Sequence, residues 1–218
     1  MKGKNPPHKH RNFSGDETAW ADFLLSKAAL ILASFVLFAA LFQLAAGFRE
    51  VESQEALEGL ARDFKAAVDE AGTGNFQEGA ESGPETFFYY FNENFPVRER
   101  GNTGPLLDRE LEVRVSGEYV RLDSGLDGKP LRAVKPFTFL TLPLDEVKLR
   151  EKLRARFGAE GTKERPVSAD YTEVGKFLSE LGQETVLDPE EAVCIRKEFI
   201  YVKENEEVSV LGCTLVYQ

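Results

Sequence analysis

An uncharged, apolar run of 21 residues from Ala28 to Phe48 constrains the folding of this chain more than any other feature. Ser34 and Gln43 are its only clearly polar residues. As a helix rising ~1.5 Å per residue, the run is about 31 Å long, which matches the ~30 Å hydrocarbon core of a bilayer. We therefore predict a transmembrane helix at 28–48, with the lipid bilayer as its partner. A buried hairpin and a removed export signal are the alternatives.

The charges on either side of the run predict its orientation in the membrane. The preceding tail has no acid before Asp16, and its basic residues are Lys2, Lys4, Lys9 and Arg11. The ten residues after the run, 49–58, contain one Arg and four Glu. Because an excess of Lys and Arg marks the cytoplasmic side, we expect a cytoplasmic N-terminus and an extracytoplasmic C-terminal domain. Residues 1–27 are then a basic cytoplasmic tail or a leader.

The length of the run also separates an anchor from a secretory signal. The apolar region of a secretory signal has ~7–15 residues and ends in a small-residue cleavage site. The nearest candidate for such a site is Ala45-Ala46-Gly47. We expect the chain to keep the helix as a permanent single-pass anchor in the cell membrane.

Helical periodicity continues beyond the apolar run. Apolar residues recur in steps of three and four, which places them on one helix face; they are Val51, Leu57, Leu60, Ala61, Phe64, Ala67, Val68 and Ala71. Gly72-Thr73-Gly74 provides a C-terminal stop. We predict one continuous helix from about Thr18 to Ala71. Its amphipathic part, 49–71, is interpreted as a stalk or a self-association surface.

The remainder, 72–218, is predicted to be an extracytoplasmic α+β domain rich in β-structure. Alternating apolar residues predict a hairpin across Ser116-Gly117-Glu118, and Asp127-Gly128 marks a second hairpin turn. The following strand, 131–142, contains Pro136, which favours an edge strand or a bulge there. A closing hairpin is predicted from strands 192–202 and 208–217.

Two short helices are predicted within this domain. The first covers Asp145–Phe157, where Leu149, Leu153 and Phe157 recur four residues apart. The second follows Asp170, which with Glu173 has the spacing of a capping box, and Gly182 marks its end.

Five consecutive aromatic residues, Phe87, Phe88, Tyr89, Tyr90 and Phe91, form a candidate interaction segment. Aromatic side chains of this kind contact lipid headgroups or neighbouring subunits. The competing interpretation, which we favour, is a short strand buried on both faces.

Cys194 and Cys213 are the only cysteines, one on each strand of the predicted closing hairpin. An even number of cysteines outside the cytoplasm favours a disulfide between them. They face each other if the turn centres between Lys203 and Glu204, and they are offset if it centres one or two residues later. Two buried free thiols are the alternative.

Composition excludes several chemistries for the outer domain. Both histidines, His8 and His10, lie in the tail, so the domain has no imidazole for nucleophilic catalysis or metal binding. No phosphate-binding loop, EF-hand or dinucleotide fingerprint occurs, and we expect no cofactor and no metal. Residues 49–218 carry 22 Lys and Arg against 34 Asp and Glu, a net charge of −12, which argues against a nucleic-acid partner.

Two charged features have both a functional and a structural interpretation. The helix at 145–157 contains five basic residues and is either a docking face for an acidic partner or a solvated face with ion pairs. Glu190-Glu191 and Glu206-Glu207 are paired carboxylates of the kind glycosidases use, but they fall at predicted turns, where solvated acids are the better interpretation.

A basic leader ends in Gly15, the helix after it has an apolar and an amphipathic half, and a β-rich outer domain follows. In this architecture the chain resembles type IV pilins, especially archaeal pilin-like proteins. This resemblance is architectural and covers the N-terminal ~70 residues. It implies leader cleavage after Gly15 and an apolar half that packs in a filament core. The sequence departs from the family at Phe13-Ser14, where charged residues usually stand, and at Trp20, where bacterial pilins have Glu. Twelve residues also separate Gly15 from the start of the apolar run at Ala28, whereas pilins become apolar almost at once.

These features together predict a single-pass, non-catalytic envelope protein that presents an acidic domain for assembly or protein interaction. We expect a protein partner or self-association through the N-terminal helix. The alternatives are a cleaved pilin-like filament subunit and a membrane-tethered hydrolase that uses paired carboxylates.

Overall fold

A computed structural model of the chain describes residues 16–73, 86–91, 111–126 and 129–218. The chain divides into two units, Met1–Arg49 and Glu50–Gln218. Helix α1 (Asp16–Thr73) contributes its first part to one unit and its last part to the other. Its bounds agree closely with the helix predicted from about Thr18 to Ala71.

The second unit contains two more helices and nine strands within the described residues. In chain order they are β1 (Thr86–Tyr89), β2 (Glu112–Val115), β3 (Tyr119–Leu126), β4 (Lys129–Pro136), β5 (Thr141–Leu142), α2 (Glu146–Phe157), β6 (Val167–Ser168), α3 (Tyr171–Leu181), β7 (Thr185–Leu187), β8 (Val193–Glu204) and β9 (Glu207–Tyr217). The predicted α+β class, with a long apolar N-terminal helix and a β-rich C-terminal domain, is confirmed.

The strands form two sheets. The first has the order β1-β8-β9-β5, and β6 also pairs with β8. Its centre is the long β8–β9 hairpin, whose strands pair from Cys194 with Tyr217 to Glu204 with Glu207. The second sheet is antiparallel throughout and has the order β4-β3-β2-β7.

Two hydrophobic cores lie on opposite faces of the first sheet. Successive residues of a strand point to opposite faces, and β8 follows this rule: Val193 and Ile195 enter one core, and Ile200 and Val202 enter the other. The first core is shared by the second half of α1 and the inner face of the second sheet. The second core is shared by α2 and α3.

Local signals in the sequence account for both short helices. The Asp145 side chain accepts a hydrogen bond from the Lys148 N–H at the start of α2. At the start of α3, the Asp170 side chain accepts from the N–H groups of Thr172 and Glu173, and Gly182 follows the last helical residue. These carboxylates satisfy N–H groups that have no partner within the helix. The spacing of Asp170 and Glu173 predicted the cap of α3, whereas Asp145, predicted as the first residue of its helix, is the residue that caps α2.

The hairpins form where the turn residues predicted them, with one difference after β4. Ser116 to Glu118 connects β2 and β3, and Leu126 pairs with Lys129 across the Asp127-Gly128 turn, whose own residues lie outside the described part. The strand predicted at 131–142 ends early, at Pro136, which terminates the edge strand of its sheet. Residues 141–142 instead form β5 in the other sheet.

Two glycines allow a close backbone approach that joins the sheets and α3. The Gly117 N–H donates to the Gly182 carbonyl at 2.8 Å, and the Gly117 carbonyl accepts from the Thr141 N–H. A Cβ atom on Gly117 would lie 2.9 Å from the Gly182 Cα, which leaves no room for a side chain.

Candidate functional site

The exposed apolar part of α1 is the most unusual surface in the structure. From Trp20 to Phe48 its large apolar side chains are exposed, for example Leu32 at 69% and Phe42 at 78%. Farther along the same helix Leu57 and Phe64 are fully buried, at 0%. Within the described residues, α1 is the one helix long and apolar enough to cross a membrane. It is a candidate span by length and composition.

The polar groups of this segment are arranged in a way that suits an apolar surrounding. The Ser34 hydroxyl donates to the Leu30 carbonyl at 2.8 Å within the same helix. Its hydrogen bond is therefore satisfied without a partner from another segment. Lys27 lies at the edge of the run, with its ammonium 5.4 Å from the centre of the Phe23 ring. Long basic side chains at such edges reach towards the membrane surface.

The apolar face of the second half of α1 is occupied by the protein itself. The side chains of Leu57, Leu60, Phe64 and Val68 are buried in the core that the helix shares with both sheets. Residues 57–71 thus form the core helix of the domain. The domain's own side chains cover this part of the face that was interpreted as a stalk or self-association surface, whereas Val51, which precedes it, is 56% exposed.

Polar contacts that the sequence analysis missed fix β4 along α1. The Lys129 ammonium pairs with Glu50 at 2.6 Å, and the Gln54 amide donates to the Arg132 carbonyl at 2.9 Å. Farther along, Lys135 pairs with Glu58 at 3.4 Å. Glu50, Gln54 and Glu58 recur every four residues on one helix face, and Lys129 and Lys135 lie on one face of the strand, whereas Arg132 contributes only its carbonyl. The two carboxylates opposite the two lysines are the signal that could have indicated the contact.

The aromatic segment forms a strand, but its predicted burial on both faces is wrong. Tyr89 and Phe91 are buried against Phe64, with ring centroids 5.0 Å apart in each pair. Phe87 and Phe88 are 43% and 62% exposed. Tyr89 and Phe91 therefore belong to the core, and Phe87, Phe88 and the exposed Tyr90 stay candidates for an interaction.

The structure does not support the predicted disulfide. The turn of the closing hairpin lies at Asn205-Glu206, later than the centre that would align the cysteines, so Cys194 pairs with Tyr217 and Cys213 with Glu198. The two positions are offset by four residues, about 13 Å along the strands, which exceeds the ~7 Å Cα separation that a bridge allows. Both are buried free thiols.

The environment of Cys213 makes it an unreactive thiol. Burial raises the pKa of Cys213 to about 12, and the neighbouring Glu198 carboxylate acts in the same direction. Because the thiolate is the reactive form, the thiol is held in its inert state at neutral pH.

The basic side chains of α2 are mostly engaged in ion pairs. Lys148 pairs with Asp145 at 2.9 Å, Arg156 with Glu173 at 3.6 Å, and Arg154 with Glu160. These contacts favour the solvated, ion-paired interpretation of the helix over a free docking face.

Arg150 is the exception, because it points inwards. Its guanidinium donates to the buried Glu198 carboxylate and to the carbonyls of Glu160 and Gly161. Arg196 lies 3.4 Å from the same carboxylate and 3.0 Å from Glu146. Burial raises the pKa of Glu198 although both guanidinium groups act against this. The cluster attaches α2 and the following loop to the middle of β8.

The paired carboxylates lie where solvated acids were expected. Glu190 and Glu191 are exposed in the turn after β7, and Glu206 and Glu207 are exposed at the β8–β9 turn. Within the described residues, no group of three or more His, Cys, Asp and Glu side chains is arranged to hold a metal ion.

The predicted leader lies outside the described residues, so Gly15 and the basic tail stay predictions. No family model, curated protein or solved structure matches the chain.

Proposed function

We propose that this protein is a single-pass membrane protein that presents its C-terminal domain outside the cytoplasm for assembly or protein interaction, without catalysis. Residues 28–48 cross the bilayer, and the basic tail holds the N-terminus in the cytoplasm. The domain after Glu50 is the part that other proteins contact.

One observation carries the proposal: the apolar side chains of α1 are exposed in its first half and buried in its second half. The second half is packed in the domain core, whereas the first half exposes nearly every apolar side chain. Exposed apolar area of this size is unfavourable in water by roughly 25 cal/mol per Å². A bilayer removes that cost, because lipid tails are as apolar as the side chains.

The anchoring part of the proposal is tested by membrane extraction at alkaline pH. The full chain should stay in the membrane pellet, and a variant with Leu32→Arg and Phe35→Arg should shift to the soluble fraction, since each central charge opposes insertion by ~2.5–3.5 kcal/mol. Leu32→Ala with Phe35→Ala is the matched control and should stay in the pellet. Extraction of the wild-type chain would refute an integral anchor.

A pilin-like filament subunit is the second candidate. It is supported by the core position of residues 57–71, because the resemblance implies that the amphipathic half of the helix supports the globular head. N-terminal sequencing of protein purified from membranes separates the two candidates. A start at Asp16 supports the cleaved subunit, and a start at Met1 rejects it.

A further inference from the structure

Gln43 is a polar side chain of the proposed span that has no hydrogen-bond partner among the described residues. Ser34, the other clearly polar residue of the run, donates its hydroxyl to the Leu30 carbonyl of its own helix. The Gln43 amide offers two N–H donors and a carbonyl acceptor, and its side chain is exposed on the helix surface. Because an amide without a partner is strongly unfavourable in hydrocarbon, Gln43 requires a contact from outside its own helix.

The depth of Gln43 in the proposed span keeps its amide away from water. Gln43 lies five residues before Phe48, the last residue of the run, which is about 7.5 Å along the helix axis. Side chains of an α-helix lean towards its N-terminus. This lean carries the Lys27 ammonium towards the Phe23 ring and the cytoplasmic surface. It carries the Gln43 amide in the same direction, which is away from the nearer membrane surface.

The residues around Gln43 leave room for a second helix. Its neighbours one helical turn away include Ala39, Ala40 and Gly47. Small residues let two helices approach closely in a membrane, and a polar side chain at such a contact hydrogen-bonds across it. The bulky rings of Phe38 and Phe42, 69% and 78% exposed, lie on the other side of the helix.

The spacing of residues on the Gln43 side fits a pair of parallel helices. Alternating steps of four and three residues place six residues within a sector of about 80° around the helix; they are Ala29, Ala33, Val36, Ala40, Gln43 and Gly47, here called the Gln43 face. A repeat of this spacing keeps two helices in contact as they wind around each other. The face extends along nearly the whole apolar run.

We propose that a second copy of this chain packs on the Gln43 face, in a parallel dimer whose two Gln43 amides hydrogen-bond to each other. The dimer depends on the proposed span at 28–48. Copies inserted in the same orientation place Gln43 at the same depth, and each amide is both a donor and an acceptor, so the two side chains are complementary. A different protein would need a polar side chain at that same depth to make the contact.

Energy transfer between labelled copies in lipid vesicles tests the dimer. Full-length chain with Gly125→Cys is labelled in separate batches with a donor and an acceptor fluorophore, and the batches are mixed. A Cβ atom at Gly125 meets no other atom within 4 Å, so the site accepts a label, and the two native cysteines are buried. The measured quantity is the protein-to-lipid ratio at which energy transfer is half-maximal.

Two variants in the Gly125→Cys background provide the comparison. Gln43→Leu removes the amide and keeps an apolar side chain of similar length. Ser34→Leu is the matched control, because Ser34 lies nine residues before Gln43, about 180° around the helix, and its hydroxyl is already satisfied. Each protein is also extracted at alkaline pH, so that membrane insertion is measured independently of association.

We expect Gln43→Leu to raise the half-maximal protein-to-lipid ratio about 5- to 30-fold, as for the loss of one hydrogen bond between membrane helices, and Ser34→Leu to leave it unchanged. If the wild-type chain stays in the membrane pellet but shows no transfer, or if Gln43→Leu matches the wild type, the dimer is rejected and the span stands. If the wild-type chain is extracted from the pellet, the span is rejected and the dimer with it.

Discussion

Phe64 is the residue that joins the helix to the aromatic segment. Its ring stacks on Phe91 and meets the Tyr89 ring edge-on, with centroid distances of 5.0 Å in both pairs. It is fully buried, whereas Phe88 in the neighbouring strand is 62% exposed. Two phenylalanines of one protein thus offer a matched comparison of core and surface.

We predict that Phe64→Ala lowers the free energy of unfolding by about 3–5 kcal/mol, because it removes a buried ring and leaves a cavity. Phe88→Ala, the control, should change it by less than about 1 kcal/mol. Urea unfolding of the full chain in detergent micelles, followed by circular dichroism, measures both. Equal losses in the two variants would show that the aromatic strand is packed differently.

Glu206 occupies a backbone conformation that suits glycine. Asn205 and Glu206 have φ values of 48° and 72°, and they form the two-residue turn of the β8–β9 hairpin. Asn tolerates this left-handed region, but Glu does so at a cost of about 1 kcal/mol.

We predict that Glu206→Gly raises the free energy of unfolding by about 0.5–1 kcal/mol, because glycine removes this strain. Glu207→Gly, one residue later and within β9, should lower it instead, since glycine weakens a strand. The same unfolding experiment distinguishes them. A loss of stability in Glu206→Gly would contradict the assigned turn.

Asp69 makes the stability of the domain depend on pH in the acidic range. Burial opposes its ionisation, but hydrogen bonds from the Lys65 ammonium and from the N–H and hydroxyl of Thr138 outweigh burial and lower the Asp69 pKa below 3.8. A carboxyl group whose pKa is lower in the folded than in the unfolded state stabilises the fold at pH values above its unfolded-state pKa. This stabilisation is lost as the pH falls through the folded-state pKa.

We therefore predict that Asp69→Asn is less stable than the wild type at neutral pH and that the difference shrinks below the ordinary carboxyl value of 3.8. Unfolding curves recorded between about pH 7 and pH 3 measure the difference. A difference that stays constant across this range would mean that the Asp69 charge contributes nothing to the fold.

Among the elements, α2 is attached to β8 partly through a buried polar contact. Its inward-pointing Arg150 holds Glu198 of β8 and two loop carbonyls, and its side chain is only 15% exposed. Lys152 on the same helix is exposed. The helix is thus attached to the sheet through Arg150 and the Glu146–Arg196 ion pair, in addition to Leu149 and Leu153.

We predict that Arg150→Ala lowers the free energy of unfolding by about 1.5–3 kcal/mol, because it removes hydrogen bonds to the Glu198 carboxylate and leaves that group buried with fewer partners. Lys152→Ala should change it by no more than about 0.5 kcal/mol. A loss below about 1 kcal/mol in Arg150→Ala would show that Leu149 and Leu153, and not Arg150, attach α2 to the sheet.

How well an element could be predicted depended on how local its determinants are. Asp145, Asp170 and Gly182 act within a few residues of their helices, so both helices followed from the sequence. The division of the strands between two sheets depends on pairings far apart in the chain, such as β2 with β7, and was not predictable. The cysteine offset depends on a shift of the turn by two residues, which the alternation of side chains does not reveal.

Distance along the chain also decided how much of the candidate functional site could be predicted. The apolar run at 28–48 was evident from composition alone, and its exposure agrees with that pattern. The alignment of β4 with α1 joins residues about 80 positions apart, and it emerged only from the folded structure.

At the scale of the whole molecule, one helix has two parts of opposite exposure. Up to Phe48 its large apolar side chains are exposed, and from Leu57 the same helix is buried at the centre of a folded domain. In the proposed function, the first part crosses the bilayer and the second belongs to the domain that is presented outside the cytoplasm.

The most direct test of this account is protease digestion of intact cells that express the chain with a different epitope tag at each end. The account predicts that added protease removes the C-terminal tag and leaves the N-terminal tag intact, and that both are digested after the membrane is permeabilised. Protection of the C-terminal tag in intact cells, with digestion only after permeabilisation, would contradict the proposed orientation.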